Sequence, residues 1–363
     1  TYKEKDAVYT YHFYRLLQRA KNIYILYNTE PDVLEGGEKS RLIMQLLTDG
    51  IKAEEITEVI ASPEIPISTK IAATVTKDEN LMEAIKKLAG KGLSPSSLTN
   101  YIRNPMDFYK QSILKIDAVL EVEETVAANT FGTIVHDTLE DLYLPLVGTY
   151  LNETTLSALK PKIKGAVQSN FTKSYSEGDI SRGRNLIAFH VIIRYIENFI
   201  QMELEMSKSQ QIKLIALEQT LEMPLNIPAL GFPVLLRGKL DRIDEMDGQL
   251  RIIDYKTGKV IRSEVEIADW EEIITNYERS KAFQLLCYAL LYQDQHPDSS
   301  MEAGIISFKN LNSGTLSFAT KEKGSRTQDT QITSQTLSAF ESYLEKLILD
   351  ICDISIPFTE KPV

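Results

Sequence analysis

The chain has 363 residues, 43% of them hydrophobic and 25% charged, a balance that excludes a disordered or collagen-like protein and, at about 150 residues per domain, predicts roughly two domains. Lys and Arg number 40 against 51 Asp and Glu, a formal net charge of -11, so the chain as a whole lacks the basic character of a nucleic-acid or membrane-surface binder and any such contact must rest on a local cluster. The two cysteines, Cys287 and Cys352, exclude both a disulfide framework and a four-cysteine metal site built from this chain alone.

Thr1 in place of an initiator Met suggests a piece of a longer protein, and TYKEKDAVYTYHFYRLL is too charged for a signal peptide. No apolar run reaches the ~18 residues needed to cross a bilayer, so a cytoplasmic protein without a membrane partner is expected. Residues 8–21 carry helical apolar spacing, and 22–27 (NIYILY) predict a short buried strand. Glu35, Gly36 and Gly37 break the chain. An amphipathic stretch follows at 39–47, then irregular sequence around Pro63 and Pro66, then a helix over 79–89 ended by Gly90 and Gly92. A domain boundary is placed near Lys91, separating 1–91 from 92–363. No glycine-rich loop ending in Gly-Lys-Ser/Thr occurs, so the chain holds no complete phosphate-cradling ATPase site.

Beyond the boundary, Ser94-Pro95-Ser96 caps a predicted helix through 109; further helices are predicted over 131–144 and 185–206. From Lys213 the period shifts to strands: LIALEQTLEMPL, VLLRGKLDRIDE and QLRIIDYKTG, each bounded by turn residues. A helix over 281–294, strands over 303–308 and 315–318, a polar loop over 321–330 and a closing helix over 333–350 complete the pattern.

The dipeptide Asp247-Gly248 suits a two-residue type I′ turn, in which both central residues have positive φ. Met246 then faces Gln249, and counting outward sets Asp241 opposite Asp254 and Lys239 opposite Lys256. Directly opposed residues have Cβ atoms about 4.5–5.5 Å apart, so two aspartates there repel unless something positive sits between them. Asp254 and Lys256, two apart on one strand, point to one face, whereas Ile253 and Tyr255 point to the other. Two carboxylates and an ammonium on one face can hold a hard cation and a phosphate together. An Asp-x-Lys on a strand is common, however, and acquires meaning here only through the opposed Asp241.

His136 lies near the edge of a helical apolar face in GTIVHDTLEDLY, where a satisfied core histidine is the ordinary outcome. Gln284 and Tyr288 share a face at i and i+4 in FQLLCYALLY. Lys160, Lys162, Lys164, Arg182 and Arg184 form basic clusters, usually solvated surface.

The order of SPSSLTNYIRNPMDFY, FGTIVHDTLEDLY, LRGKLDRIDE, LRIIDYKTGK and QLLCYALLY over residues 94 to about 310 resembles the RecB-like family of the PD-(D/E)XK nuclease superfamily. The resemblance implies a mixed sheet flanked by helices, of the restriction-endonuclease-like α/β class, with a long helical insertion and a small N-terminal α/β segment. It implies a Mg²⁺ or Mn²⁺ ion held by His136, Asp241, Asp254 and the carbonyl of Tyr255, with Asp241, Asp254 and Lys256 catalytic. Gln284 and Tyr288 match a Gln-x-x-x-Tyr element that positions DNA, and Glu218 matches a family acidic position without an assigned role. The expected activity is metal-dependent DNA hydrolysis, exonucleolytic or end-processing, in repair or recombination; the competing expectation is a silent DNA-binding or scaffolding subunit of a helicase-nuclease complex. In many relatives a cysteine before a proline starts an iron-sulfur site; Asn104 stands there before Pro105, so no iron-sulfur cluster is expected. Residues 1–91 weakly resemble the end of a Rep/UvrD-type helicase motor domain, with YNTEPDVLEGGEKSRLIMQLL matching its last motif and Arg41 its arginine, which implies a helicase domain or subunit as partner.

Overall fold

The three consecutive strands form the middle of a mixed six-stranded sheet in the computed structural model, which describes residues 2–27, 39–48, 56–60, 72–116, 126–175, 182–297, 300–321 and 328–361. Two compact units divide the chain, 1–70 and 71–363. In the second, the strands are β1 (Tyr150–Leu151), β2 (Ile212–Leu225), β3 (Val234–Met246), β4 (Gln249–Lys256), β5 (Met301–Ser307) and β6 (Thr315–Ser317), laid side by side in that order. Every neighbouring pair is antiparallel except β4 and β5. That parallel pair needs a crossover, which carries a helix over Ser280–Gln295.

The turn between β3 and β4 has Asp247 at φ 53 and Gly248 at φ 84, as a type I′ turn demands. The ladder then runs Met246↔Gln249 to Arg242↔Ile253. Asp241 and Asp254 are the next residues outward, where the two strands stop pairing; Lys239 pairs instead with Thr220 on β2.

In the first unit, helices α1 (Tyr2–Leu17) and α2 (Arg41–Thr48) lie among the described residues. The second unit adds α3 (Glu79–Lys91), α4 (Pro95–Arg103), α5 (Ala128–Tyr143), α6 (Ile163–Ser174), α7 (Gly183–Met206), α8 (Ser280–Gln295) and α9 (Ser334–Cys352). Helices α5, α6 and α7 cover one sheet face, where Val135, Phe171 and Phe199 join Leu214, Ile253 and Tyr255 in one core. Helices α3, α4, α8 and α9 cover the other, where Ile85, Leu98, Leu286 and Phe340 join Leu240, Ile252 and Ile305. The alternation of Ile252 and Ile253 between the two cores is the period of a strand buried on both faces. The long insertion after His136 thus supplies most of a layer of the sandwich, completed by α5.

Two expectations are corrected. Residues 22–27 form no strand: among the described residues none pairs with them, and Tyr24 and Leu26 are 86% and 90% exposed. Apolar, β-branched composition makes a strand only where a sheet edge accepts its hydrogen bonds. The helix starting at Ser94 stops at Arg103 rather than running to 109, because Pro105 disfavours helical backbone at the residue before it. Asn104 adopts φ -157 and ψ 110, and its side chain accepts from Met106 N at 3.1 Å and Lys361 N at 3.3 Å. The breaks expected at Glu35–Gly37, Pro63 and Pro66 lie outside the described residues, as do positions 322–327 of the polar loop, whose flanks pair as Lys321↔Gln328.

Gly304 on β5 has no space for a side chain: a Cβ there would lie 2.6 Å from Thr315 Cγ2 and 3.1 Å from the Leu316 carbonyl oxygen on β6. Gly304→Ala must displace the Thr315 methyl and crowd the backbone of β6, and urea unfolding should show a loss of about 1–3 kcal/mol. An unchanged midpoint would show that β6 yields freely.

Candidate active site

Five elements converge where β3 and β4 part. Helix α5 brings His136, held in place by the buried Val135 and Leu139 beside it, with the imidazole at the rim of the core. Strand β2 brings Glu218, β3 brings Asp241, β4 brings Asp254 and Lys256, and α8 brings Gln284 and Tyr288.

Glu218 is the residue whose local structure could not be read from sequence. A bulge between Leu214 and Ala216 shifts the register of β2 on β3, and pairing skips from Leu217↔Arg242 to Gln219↔Leu240. Glu218 stands in that gap at φ 47, a left-handed conformation that costs a non-glycine residue about 1–3 kcal/mol and concentrates at functional sites. Its family position was the only signal available.

His136 Nδ1 lies 3.6 Å from Glu218 Oε1 and 3.6 Å from Asp241 Oδ2. One ligand atom from each of the three can be chosen so that all lie within 4.8 Å of one another. Burial works against a charged His136, but the Glu218 carboxylate as acceptor for the imidazole N–H and the charges of Asp241 and Asp254 prevail and raise its pKa. Lys239 Nζ holds Glu218 Oε2 at 2.7 Å. Burial works against the Glu218 carboxylate, yet His136 and Lys239 together pull its pKa below the usual range.

Asp241 accepts the Tyr255 backbone N–H at 2.7 Å, so a side chain takes the ladder bond that β3 no longer supplies. Burial and the neighbouring Asp254 nevertheless push its carboxyl up to about 7, against His136, Lys256 and the Tyr255 N–H. Asp254 is 1% exposed, and neither carboxylate oxygen has a hydrogen bond among the described residues. Lys256 Nζ stands 2.7 Å from Oδ2, at ion-pair distance but without hydrogen-bond angles. Burial works against the Lys256 ammonium, and Asp254 and Asp241 outweigh it and raise its pKa. The opposed aspartates of the sequence reading are therefore neighbours in space, but the close ligand cluster is His136, Glu218 and Asp241, with Asp254 and Lys256 beside it.

The Tyr255 side chain lies in the α5–α7 core, its hydroxyl 3.4 Å from Arg242 Nη1 and its ring edge-to-face with the His136 imidazole, while its backbone N–H meets Asp241. Gln284 Nε2 donates to the Tyr288 hydroxyl at 2.6 Å. Burial, then Asp254 and Asp241, raise the Tyr288 phenol above its ordinary range, as expected of a ring facing the acidic cluster. Gly238 on β3 lets that ring approach: a Cβ there would meet Tyr288 Cε1 at 3.1 Å and Leu291 Cδ1 at 2.7 Å.

Behind the site, Arg242 is buried and bonds Glu203 of α7 at 2.5 Å and Asp244 at 2.7 Å; Arg251 bonds Asp244 at 2.8 and 3.0 Å, and Tyr143 donates to Glu203. Two cations balance two anions, and the network ties α5 and α7 to the strands at the residues next to Asp241 and Asp254.

The model of the PD-(D/E)XK nuclease superfamily matches residues 92–362. The chain belongs to the PD-(D/E)XK nuclease superfamily. It is also similar to an uncharacterized protein of Rickettsia conorii (strain Malish 7), 25% identical over 209 residues, 54% of this chain and 24% of the relative. An uncharacterized protein of Rickettsia felis is 27% identical over 184 residues, 48% of this chain and 20% of the relative. The chain spans about a quarter of the length of these curated relatives. Nucleases of this superfamily use divalent metals, and the donor set here fits one: an imidazole, the two carboxylates of Glu218 and Asp241, and beside them a third, buried carboxylate, Asp254. None of the described helices is long and apolar enough to cross a membrane.

Proposed function

We propose that the chain is a cytoplasmic, RecB-like, metal-dependent deoxyribonuclease that degrades or processes DNA from its ends in repair or recombination. The observation that carries this reading is the meeting of His136, Glu218 and Asp241 beside a buried, hydrogen-bond-free Asp254 and its partner Lys256. The ion is Mg²⁺ or Mn²⁺, held by His136, Asp241, Asp254 and the Tyr255 carbonyl, with Glu218 a further ligand; the imidazole favours Mn²⁺ more than an all-oxygen site would. Once bound, it lowers the pKa of a coordinated water and polarises a phosphoryl oxygen. Lys256, partly exposed beside Asp254, is placed to stabilise negative charge developing on the scissile phosphate. The joined Gln284 and Tyr288 orient the strand against the cluster. Asp241 and Asp254 hold opposite sides of the gap where β3 and β4 separate, leaving that edge open to a phosphate. Residues 1–91 are read as the end of a helicase-type motor; there Arg41 is exposed and paired with Asp6 at 2.9 Å.

Incubation of linear and covalently closed duplex DNA with Mn²⁺, with EDTA as control, tests the reading. Loss of the linear form alone is expected; intact DNA of both forms with Mn²⁺ would remove the activity, and equal loss of both would remove end dependence. Metal binding should also depend on pH in a defined direction. A carboxyl with a pKa near 7 is protonated below that value and must release its proton to a cation, so Mn²⁺ affinity should fall by about tenfold per pH unit below 7 and level off above it. His136, also raised, steepens the fall. Titration of free Mn²⁺ by electron paramagnetic resonance from acid to weakly alkaline pH measures this, and a flat profile would contradict the protonated Asp241.

A further inference from the structure

A cleft of about 400 Å³ opens on β3 immediately beside the acidic cluster, lined by Ser94, Ser96, Thr220, Arg237, Lys239 and Tyr288 among others. Its wall is shared with the metal-ligand cluster, because Lys239 reaches from it to Glu218 at 2.7 Å. Arg237 and Lys239 are two residues apart on one strand and so lie on the same face. Arg237 is the notable group. Its cross-strand partner is Glu222, yet the guanidinium makes no ion pair or hydrogen bond with it or with any other described residue. The stem instead lies against Gly92, where a Cβ would come within 3.0 Å of Arg237 Cβ and 3.5 Å of Cδ. Gly92, at φ 114, thereby gives the arginine its path towards the serines. In a chain with net charge -11, an arginine that bypasses an adjacent carboxylate to line a cavity with hydroxyls has five unused donors suited to a phosphate.

We propose that this cleft is a second phosphate subsite, in which Arg237, supported by Lys239 and the Ser94 and Ser96 hydroxyls, holds a phosphate of the nucleic-acid strand next to the one being cleaved. The inference rests on the nuclease reading and adds where the strand runs: from the acidic cluster across Lys239 towards the start of α4. Lys239 belongs to both places. With its ammonium on Glu218 it neutralises the cluster, and it reaches a phosphate in the cleft by rotating about its own side chain.

The test uses the full chain in EDTA, so that it reads binding without cleavage. Anisotropy of labelled single-stranded oligonucleotides, with a 5′-phosphate or a 5′-hydroxyl, is followed across about 50 to 200 mM salt for wild type and for Arg237→Gln. R237Q should bind several-fold more weakly, with the slope of log affinity against log salt reduced by about 0.7, one single-strand phosphate contact. A loss confined to the 5′-phosphorylated strand assigns the cleft to a terminus, and an equal loss on both assigns it to an internal phosphodiester. Unchanged affinity and slope on both strands would overturn the proposal. Mn²⁺ affinity, measured separately, should be the same in R237Q and wild type. Absence of Mn²⁺ binding by the wild type would sink the nuclease reading while leaving the salt slopes to decide the subsite.

Discussion

Asp254→Asn should lose at least about 10³-fold in cleavage rate while making the metal-free protein more stable. The two effects have one origin. Asp254 is 1% exposed, neither oxygen accepts a hydrogen bond among the described residues, and Asp241 lies close enough to repel it. Only Lys256, whose side chain is 30% exposed, balances the charge, and it can turn to water when the charge is removed. A buried carboxylate met by one partly exposed ammonium and repelled by a second carboxylate is only partly compensated, so replacing it by a neutral amide of the same shape should raise the metal-free unfolding free energy by on the order of 1 kcal/mol. A divalent ion reverses the balance, because it stabilises whichever folded protein binds it. Mn²⁺ should therefore raise the melting temperature of the wild type and leave D254N nearly unmoved. A metal-free D254N less stable than wild type would show instead that Asp254 is a structural half of an ion pair with Lys256.

The largest stability loss is expected at Arg242, whose guanidinium lies behind the site and meets there the Tyr255 hydroxyl but none of the candidate metal-binding carboxylates. Arg242→Met removes the cation from between Glu203 and Asp244, which are 3% and 0% exposed. Asp244 keeps Arg251 at 2.8 Å, but Glu203 keeps, among the described residues, only the Tyr143 hydroxyl. Leaving a buried charge without its partner costs about 3–5 kcal/mol, whereas replacing the pair by apolar residues of similar volume is close to neutral. R242M should therefore unfold at markedly lower urea, and the double variant R242M/E203M should recover most of the loss. Equal midpoints for the single and double variants would contradict a network held by mutual charge. The Mn²⁺ affinity of R242M should fall as well, since Tyr255 and Asp241 lose the anchor behind them.

The parts of this site that lie close together in sequence were legible from it. Asp247-Gly248 sets the hairpin, the hairpin sets the register, and the register puts Asp241 and Asp254 at the same level, because side chains alternate strictly along a strand and a two-residue turn allows one alignment. Asp254 and Lys256 share a face for the same reason. Gln284 and Tyr288 share a helix face and are hydrogen-bonded in the fold. Where a neighbour had to be supplied from elsewhere, local pattern misled: NIYILY has strand composition but meets no strand among the described residues, and the helix expected through Tyr109 breaks at Asn104.

Whatever follows from backbone periodicity and turn chemistry was determined by the sequence alone: the strands, the hairpin and the level at which its acidic residues sit. Tertiary structure decided which of those residues are ligand neighbours. The bulge in β2 and the left-handed backbone at Glu218 bring a carboxylate to His136 and Asp241 from a strand whose sequence alternation gives no hint of it, and the stem of Arg237 lies against a glycine far from it in sequence. Strain and long-range approach of this kind depend on the packing of whole layers, and no local sequence pattern encodes them.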